Sequence, residues 1–210
     1  MGRIQKGILG PVSGTVGTVV GSSWKEIYYL KSQPSTKKRT PTVDQLDQQH
    51  RFSVVLNFVQ TMVGLVQLTF KKYAVKMSEY NAAFSYNYRN AITGTTPDYE
   101  IDFSKALISR GDLPNATAPM ATLTGNTVFF TWTDNSGSGK AAATDKAIFV
   151  AFCPNLNLTL YNGGADRSAG AGSLDVTNFA GQTLQTWIAF VSEDELDASN
   201  SIYTGELSPI

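Results

Sequence analysis

The chain has 210 residues, of which 42% are hydrophobic and 16% charged, and its formal net charge is zero. This composition is ordinary for a folded protein that is slightly poor in charge, and the length allows a substantial buried core. The single cysteine, Cys153, excludes an intrachain disulfide and is expected to be a small buried residue, and the single histidine, His50, argues against histidine-based metal sites and most acid–base catalysis.

The charges are distributed unevenly along the chain. Residues 1–92 carry twelve Lys or Arg and four Asp or Glu, a formal net charge of +8, whereas residues 93–210 carry five and thirteen, a net charge of −8. Two halves with opposite fields allow copies of a chain to attract each other head to tail, or allow the basic half to face a polyanion.

A glycine-rich apolar stretch opens the chain. No charged residue interrupts it between Lys6 and Lys25, and its glycines recur every three or four residues among Val, Ile and Leu. This pattern favours a packing surface over a polar linker. The predicted assembly interface consists of Gly7, Gly10, Gly14, Gly17, Gly21 and Trp24.

Three conformations compete for residues 7–24. Regularly spaced glycines would give a smooth helical face, but Pro11, the glycines themselves and an excess of β-branched residues favour an extended arm or a hairpin. A membrane span is disfavoured because the stretch is short and rich in Gly, Ser and Thr. A cleaved signal peptide is disfavoured because no clear Ala-x-Ala site follows.

A strand and a linker come next. Residues 24–31 alternate as a strand would, and residues 32–41 are rich in Pro, Ser and basic side chains. The cluster Lys37-Lys38-Arg39 within this linker is expected to be a solvated loop, with phosphate contact as the alternative.

Two helices are predicted in the middle of the chain. Thr42 and Gln45 form a capping-box pattern, after which apolar residues at helical spacing continue to about Val63. Ser78 caps a second helix that is expected to end at Gly94. This second helix carries side chains that could stack on bases or sugars, although such spacing is more typical of a core: Tyr80, Tyr86, Tyr88 and Arg89.

Two short motifs between the helices and the C-terminal part suggest functions that their context argues against. Residues 98–103 place acidic side chains on alternate positions, which indicates a strand with one solvated face and not a calcium loop. The tripeptide Arg110-Gly-Asp112 is expected to form a turn before Leu113 and not an adhesion site.

From residue 119 onwards the pattern is all-β. Strand-like runs at 120–123, 127–133, 147–152, 156–161, 173–176, 184–191 and 201–207 are separated by turn-forming residues. Alternating faces such as Val128, Phe130 and Trp132 indicate a β-sandwich. The sequence therefore predicts an α+β protein, with arm, helices and connecting strand in residues 1–112 and a sandwich in residues 113–210.

Two resemblances add to this prediction. Val128–Trp132 and Trp187–Val191 resemble strands B and F of a fibronectin type III module, although the tyrosine-rich pattern of that module's strands C and F is missing. The opening glycine pattern, residues 84–94 and residues 107–113 together resemble a family of uncharacterised proteins common in Bacteroidota genomes. That resemblance implies an N-terminal glycine signature and a C-terminal sandwich, and it carries over no functional residue.

Three classes of function are compatible with these features. We favour a non-enzymatic structural protein that assembles with copies of itself or with other subunits, as a component of a virion, a tail or a surface filament. A binding module for a glycan or a protein is the first alternative, with the candidate loop residues Asn135, Lys140, Tyr161, Asn162, Asp166 and Arg167. A nucleic-acid-associated protein that uses the basic half is the second alternative. The common catalytic and cofactor motifs are missing, so no enzyme, cofactor or metal is expected.

Overall fold

The computed structural model describes residues 2–4, 10–35 and 40–208, and it divides the chain into two compact units, Met1–Val43 and Asp44–Ile210. The cluster Lys37-Lys38-Arg39 lies outside the described residues. The boundary between the units differs from the one at 112/113 that the sequence predicts.

The first unit contains an antiparallel meander, called here the N-terminal sheet. Its strands pair in chain order: β1 (Arg3–Ile4), β2 (Val12–Val16), β3 (Val19–Trp24) and β4 (Ile27–Ser32). The described residues of the predicted extended arm are thus hydrogen-bonded strands. The predicted strand 24–31 is interrupted at Lys25 and Glu26, which have φ values of 41° and 68° and form the turn between β3 and β4.

Three helices begin the second unit: α1 (Val43–Gln60), α2 (Val63–Thr69) and α3 (Glu79–Asn90). The start of α1 directly after Thr42 and the Ser78 cap, whose Oγ accepts from the Asn81 N–H at 3.2 Å, confirm the predicted helix starts. The helix predicted to reach Val63 ends at Gln60, where the Thr61 hydroxyl donates to the Phe58 carbonyl at 2.8 Å and tightens the last turn. No single described helix is long and apolar enough to cross a membrane, and although α1 and α2 together meet that criterion, they are bent by 82°.

A hairpin follows α3 where the sequence predicts helix up to Gly94. It consists of β5 (Ile92–Thr95) and β6 (Asp98–Ile101). Gly94 has a φ of +91° and an added Cβ would lie 2.2 Å from the Asp98 carbonyl oxygen, so this residue belongs to a tight strand pair. Along β6 the exposed acidic residues alternate with half-buried Tyr99 and Ile101, as predicted.

Two antiparallel sheets form a β-sandwich in the rest of the unit. One sheet has the order β11-β8-β7 and the other the order β10-β9-β12-β13. The strands are β7 (Thr117–Thr124), β8 (Thr127–Thr133), β9 (Lys146–Cys153), β10 (Leu158–Asp166), β11 (Ala171–Asp175), β12 (Leu184–Val191) and β13 (Ile202–Leu207). Between the sheets lies an apolar core that includes Phe130, Trp132, Phe149 and Phe190 and, as predicted, the buried Cys153.

The helices cover the outer face of the β10-β9-β12-β13 sheet. Alternate residues of its central strands, including Val150, Phe152 and Trp187, pack in one cluster with Phe58 and Leu65 of the helices. The unit therefore has three layers, helices on sheet on sheet, with two apolar cores. Shared packing of this kind explains why residues 44–112 do not separate from the sandwich.

Candidate functional site

The N-terminal sheet carries large apolar side chains but has no core of its own. Among the described residues up to Val43, Gly21 is the one buried residue. Trp24, Tyr28 and Leu30 are 54%, 62% and 63% exposed. A small sheet becomes stable when one of its faces packs against another layer, and the exposed apolar side chains of this sheet lack such a layer among the described residues.

Apolar side chains occupy both faces of the N-terminal sheet. Tyr28 and Leu30 lie two residues apart on β4 and therefore share one face. Trp24 and Ile27 are paired across β3 and β4, and they share the opposite face with Tyr29. An exposed sheet in a monomer normally has at least one polar face, so this pattern is typical of an interface.

Close backbone approach explains the glycine at position 21. A Cβ on Gly21 would lie 2.1 Å from the Val12 carbonyl oxygen on β2, a distance that no side chain can occupy without moving the backbone. Gly14 is the registered partner of Gly21 and has a φ of +93°, and Gly17 forms the turn between β2 and β3 with a φ of +59°. These glycines shape the sheet itself, which is a different role from the intermolecular packing that their spacing predicts.

The other members of the predicted interface are Trp24, Gly10 and Gly7. Trp24 is exposed at the end of β3, and Gly10 lies in a bend before β2. Gly7 lies outside the described residues. The exposed apolar surface of the N-terminal sheet therefore comes from the side chains of β3 and β4, and the glycines shape the sheet that carries them.

We expect the substitution Gly21→Ala to weaken the pairing of β2 with β3. An overpacked site costs about 1–3 kcal/mol, so amide hydrogens of the two strands should exchange with solvent roughly tenfold faster or more. Ser13→Ala on exposed β2 is the matched control and should leave the exchange rates unchanged. Equal rates in the two variants would contradict the close approach of Gly21 to Val12.

The two units of the structure, like the two halves of the sequence, carry opposite formal charges. Residues 1–43 carry seven Lys or Arg and one acid, a formal net charge of +6, and residues 44–210 carry ten and sixteen, a net charge of −6. The residues of the first unit are thus basic on balance and those of the second unit acidic, so the two units have opposite fields.

Arg167, a predicted ligand-loop residue, is completely buried. Its Nε donates to Asp145 Oδ2 at 3.0 Å, its Nη1 to Asn135 Oδ1 at 2.8 Å and its Nη2 to the Pro114 carbonyl at 3.1 Å. The guanidinium also lies 3.8 Å from the centre of the Phe190 ring. Burial lowers the pKa of the Arg167 guanidinium, and the charge of Asp145 opposes that shift. Arg167 and Asn135 thus hold the sandwich together and are not available to a ligand.

The remaining four loop candidates do not form one site. Lys140 is exposed near Asp197, with a charge separation of 4.0 Å. Tyr161, Asn162 and Asp166 lie on β10, which continues through the predicted loop with a bulge between Gly163 and Asp166. Asp166 accepts a hydrogen bond from Lys146, which raises the pKa of that ammonium group.

Residues 11–205 match a protein family that is described as a family of unknown function (DUF6266). The chain belongs to the DUF6266 family. The match includes Gly14, Gly17 and Gly21 and begins after Gly7 and Gly10. No curated protein matches the sequence of this DUF6266 protein.

Solved structures with similar folds include fibronectin modules. A two-domain fibronectin type III segment of chicken tenascin matches with a TM-score of 0.36 and 11% identity over 56% of this chain and 61% of that one. The fn3 domain of the human collagen α-1(XX) chain matches with a TM-score of 0.33 and 9% identity over 46% of this chain and 88% of that one. The spore cortex lytic enzyme SleM of Clostridium perfringens matches with a TM-score of 0.32 and 21% identity over 46% of this chain and 29% of that one.

The tripeptide Arg110-Gly111-Asp112 of the DUF6266 protein is packed against its neighbours. A Cβ on Gly111 would lie 1.9 Å from the Ala198 carbonyl oxygen, and Asp112 accepts hydrogen bonds from Lys72 at 3.4 Å and from the Tyr73 hydroxyl at 3.3 Å. Such contacts give the tripeptide a structural role and fix the direction of its arginine.

Two groups of residues in the DUF6266 protein escaped the sequence analysis. The sequence predicts a strand at Tyr28 and Leu30 but does not include them in the interface, although two exposed aliphatic or aromatic residues at a spacing of two indicate an uncovered face. Tyr73 and Arg110 had no common pattern, because they are 37 positions apart and the fold brings them together.

Proposed function

We propose that this DUF6266 protein is a non-enzymatic structural subunit that assembles with copies of itself, the N-terminal sheet of one copy docking on the acidic unit of another. The observation that carries the proposal is the N-terminal sheet, whose described residues bury one glycine while they expose Trp24, Tyr28 and Leu30. The lack of catalytic motifs in the sequence supports a role without catalysis.

Apolar burial supplies the driving force for this docking. Removing one large apolar side chain from water contributes about 1.5–3 kcal/mol. A partner that covers the face of Tyr28 and Leu30 gains two such contributions, which offset part of the cost of association. Covering them with a partner also provides the packed layer that the sheet lacks.

Charge complementarity favours a second copy as the partner. The unit up to Val43 has a formal net charge of +6 and the remainder −6, so each copy offers both a basic donor and an acidic acceptor. A contact between two different surfaces is heterologous, and such contacts close into rings or continue as filaments. Components of virions, tails and surface filaments are built in this way, and we place the protein in that class.

The double substitution Tyr28→Thr/Leu30→Thr tests the proposal. Threonine keeps the strand propensity of β4 while removing its apolar side chains. We expect light scattering at about 50 μM protein to give a multiple of the 22.7 kDa chain mass for the wild type and the monomer mass for the variant. A tenfold loss of affinity corresponds to about 1.4 kcal/mol, and the variant removes two side chains whose burial contributes about 1.5–3 kcal/mol each.

The variant Met120→Thr/Phe129→Thr removes two exposed side chains from β7 and β8 of the sandwich, on the acidic unit that is the proposed acceptor. Met120 has the same exposed fraction as Leu30, 63%. An unchanged mass would assign the acceptor surface to another part of the acidic unit, and a lower mass would assign it to β7 and β8. A wild type that stays monomeric at 50 μM, or a Tyr28→Thr/Leu30→Thr variant with unchanged mass, would refute the proposed interface.

A monomeric wild type would direct attention to the two alternatives. Binding of single-stranded DNA that weakens steeply with salt would favour the nucleic-acid function of the basic unit. Capture of a glycan by the sandwich would favour the binding module, which would then have to use residues other than Arg167 and Asn135.

A further inference from the structure

An open cavity of about 470 Å³ beside α3 combines arginine with tyrosine side chains. Arg89 and Arg110 line it together with Tyr73, Tyr86 and Met77. The described residues that line it include no aspartate or glutamate. Two cations therefore face the same space in a unit whose formal net charge is −6.

The guanidinium of Arg110 makes cation–π contacts with two aromatic rings. Its guanidinium carbon lies 4.1 Å from the centre of the Tyr73 ring and 5.0 Å from that of Tyr86. The backbone is fixed as well, since the Arg110 N–H donates to the Thr69 carbonyl at 3.3 Å and the following glycine packs against the Ala198 carbonyl. Cation–π contacts occupy the faces of a guanidinium and leave its N–H donors at the edge.

These donors have no partner in the part of the chain that the structure describes. The hydrogen bonds and ion pairs of the described residues include none from the guanidinium of Arg110, which is half-buried, or of Arg89, which is exposed. By contrast, Arg167 in the same unit satisfies three of its donors within the protein. A half-buried, oriented guanidinium with free donors is suited to a planar or tetrahedral oxyanion, which it binds through two parallel hydrogen bonds.

We propose that this cavity is a binding site for a small organic anion whose carboxylate or phosphate group is bound by Arg110, with Arg89 adding charge. The apolar part of the ligand lies against Tyr73, Tyr86 and Met77. This site is separate from the assembly surface of the N-terminal sheet and does not depend on it.

Calorimetric titration of the full-length protein with phenyl phosphate and with benzoate tests the site, and benzyl alcohol is the neutral probe. We expect one site with a dissociation constant on the order of 1 mM for at least one of the anions, as befits a ligand of this size. The anion with the lower dissociation constant shows whether the site prefers phosphate or carboxylate. Benzyl alcohol should bind at least about tenfold more weakly, because hydrogen bonds to charged groups are lost.

Substitutions assign the binding to the arginines. Arg110→Gln should lower the affinity for the preferred anion by about 10–100-fold. Arg110→Lys should lower it by less, because the charge remains while the paired N–H donors of the guanidinium are lost. Arg89→Gln should lower the affinity by about threefold. Lys105→Gln removes an exposed cation outside the cavity and should change nothing. Thermal melting of each variant shows whether it is folded. If Arg110→Gln does not fold, the loss of affinity in Arg110→Lys tests the role of Arg110 instead.

Three results would overturn the proposal: no binding of either anion at 20 mM (about 20 times the expected dissociation constant), equal binding of benzyl alcohol, or unchanged binding in folded Arg110→Gln and Arg89→Gln variants.

Discussion

Replacing Arg167 by methionine is expected to lower the free energy of unfolding by about 3–5 kcal/mol, because the substitution leaves the carboxylate of Asp145 buried without its countercharge. Both side chains are almost completely inaccessible, 0% and 3% exposed. The same substitution removes the hydrogen bonds to Asn135 and to the Pro114 carbonyl. Methionine is similar in volume, so the expected loss is mainly electrostatic.

Urea unfolding followed by tryptophan fluorescence measures this loss. Two comparisons separate the buried charge from the loss of packing. The double variant Asp145→Leu/Arg167→Met has no unpaired charge and should be more stable than Arg167→Met alone. Lys146→Met removes one partner of the neighbouring exposed pair with Asp166, and it should cost at most about 1 kcal/mol. Similar costs for the two single variants would show that burial does not decide the strength of the Arg167 pair.

The burial of Arg167 could not be predicted from the sequence. A polar residue after Asn162-Gly-Gly164 has the local pattern of an exposed loop. Its partners lie 22, 32 and 53 positions away in the chain, and no local pattern indicates them. The glycines that suggested a turn lie within β10, where the bulge between Gly163 and Asp166 accommodates them.

The strands of the sandwich were predictable because their signal is local. Alternation along β8 and turn residues between the strands identified seven runs, each of which contains or overlaps a strand of the structure. The Ser78 cap was predictable for the same reason, since its bond joins residues three positions apart.

The helical layer over the sandwich was also predictable, from the apolar residues of two strands. Residues Ala147–Cys153 and Trp187–Val191 are apolar almost without interruption, and β9 and β12 are buried on both faces. A strand with one face toward a second sheet and the other toward solvent would alternate instead. Continuous apolar strands therefore indicate that a further layer covers the sheet, and the helices of residues 43–90 are the apolar elements available to do so.

The exposed apolar side chains of the N-terminal sheet were predictable in place but not in detail. Composition located it in the first residues, because an uncharged apolar stretch is visible without a structure. Which side chains form the surface depends on register: the turn at Lys25 and Glu26 places Tyr28 and Leu30 on one face and Trp24 on the other. A turn in which two residues without glycine adopt positive φ has no strong sequence signal.

Phe58→Ala is expected to lower the free energy of unfolding by about 3–5 kcal/mol, the range for a large core side chain. Phe58 is 2% exposed on α1, and its ring centre lies 5.2 Å from that of Phe152 on β9 and 6.2 Å from that of Trp187 on β12. Truncation leaves a cavity between the helices and the sheet. The matched control is Phe52→Ala on the same helix, where the side chain is 48% exposed and the cost should be about 1 kcal/mol.

The Phe58→Ala variant also decides whether the helices and the sandwich are one folding unit. Because Phe58 contacts residues of β9 and β12, its loss should shift the unfolding of both layers together. Far-ultraviolet circular dichroism follows the helices, and near-ultraviolet dichroism follows packed aromatic residues such as Trp132 between the two sheets. The two signals should then give one coincident transition at a lower urea concentration. If the helical signal were lost first while the sandwich kept its aromatic signal, the domain boundary at 112/113 predicted from the sequence would be correct. A coincident shift requires the shared core, since residues in one cooperative unit lose their structure together.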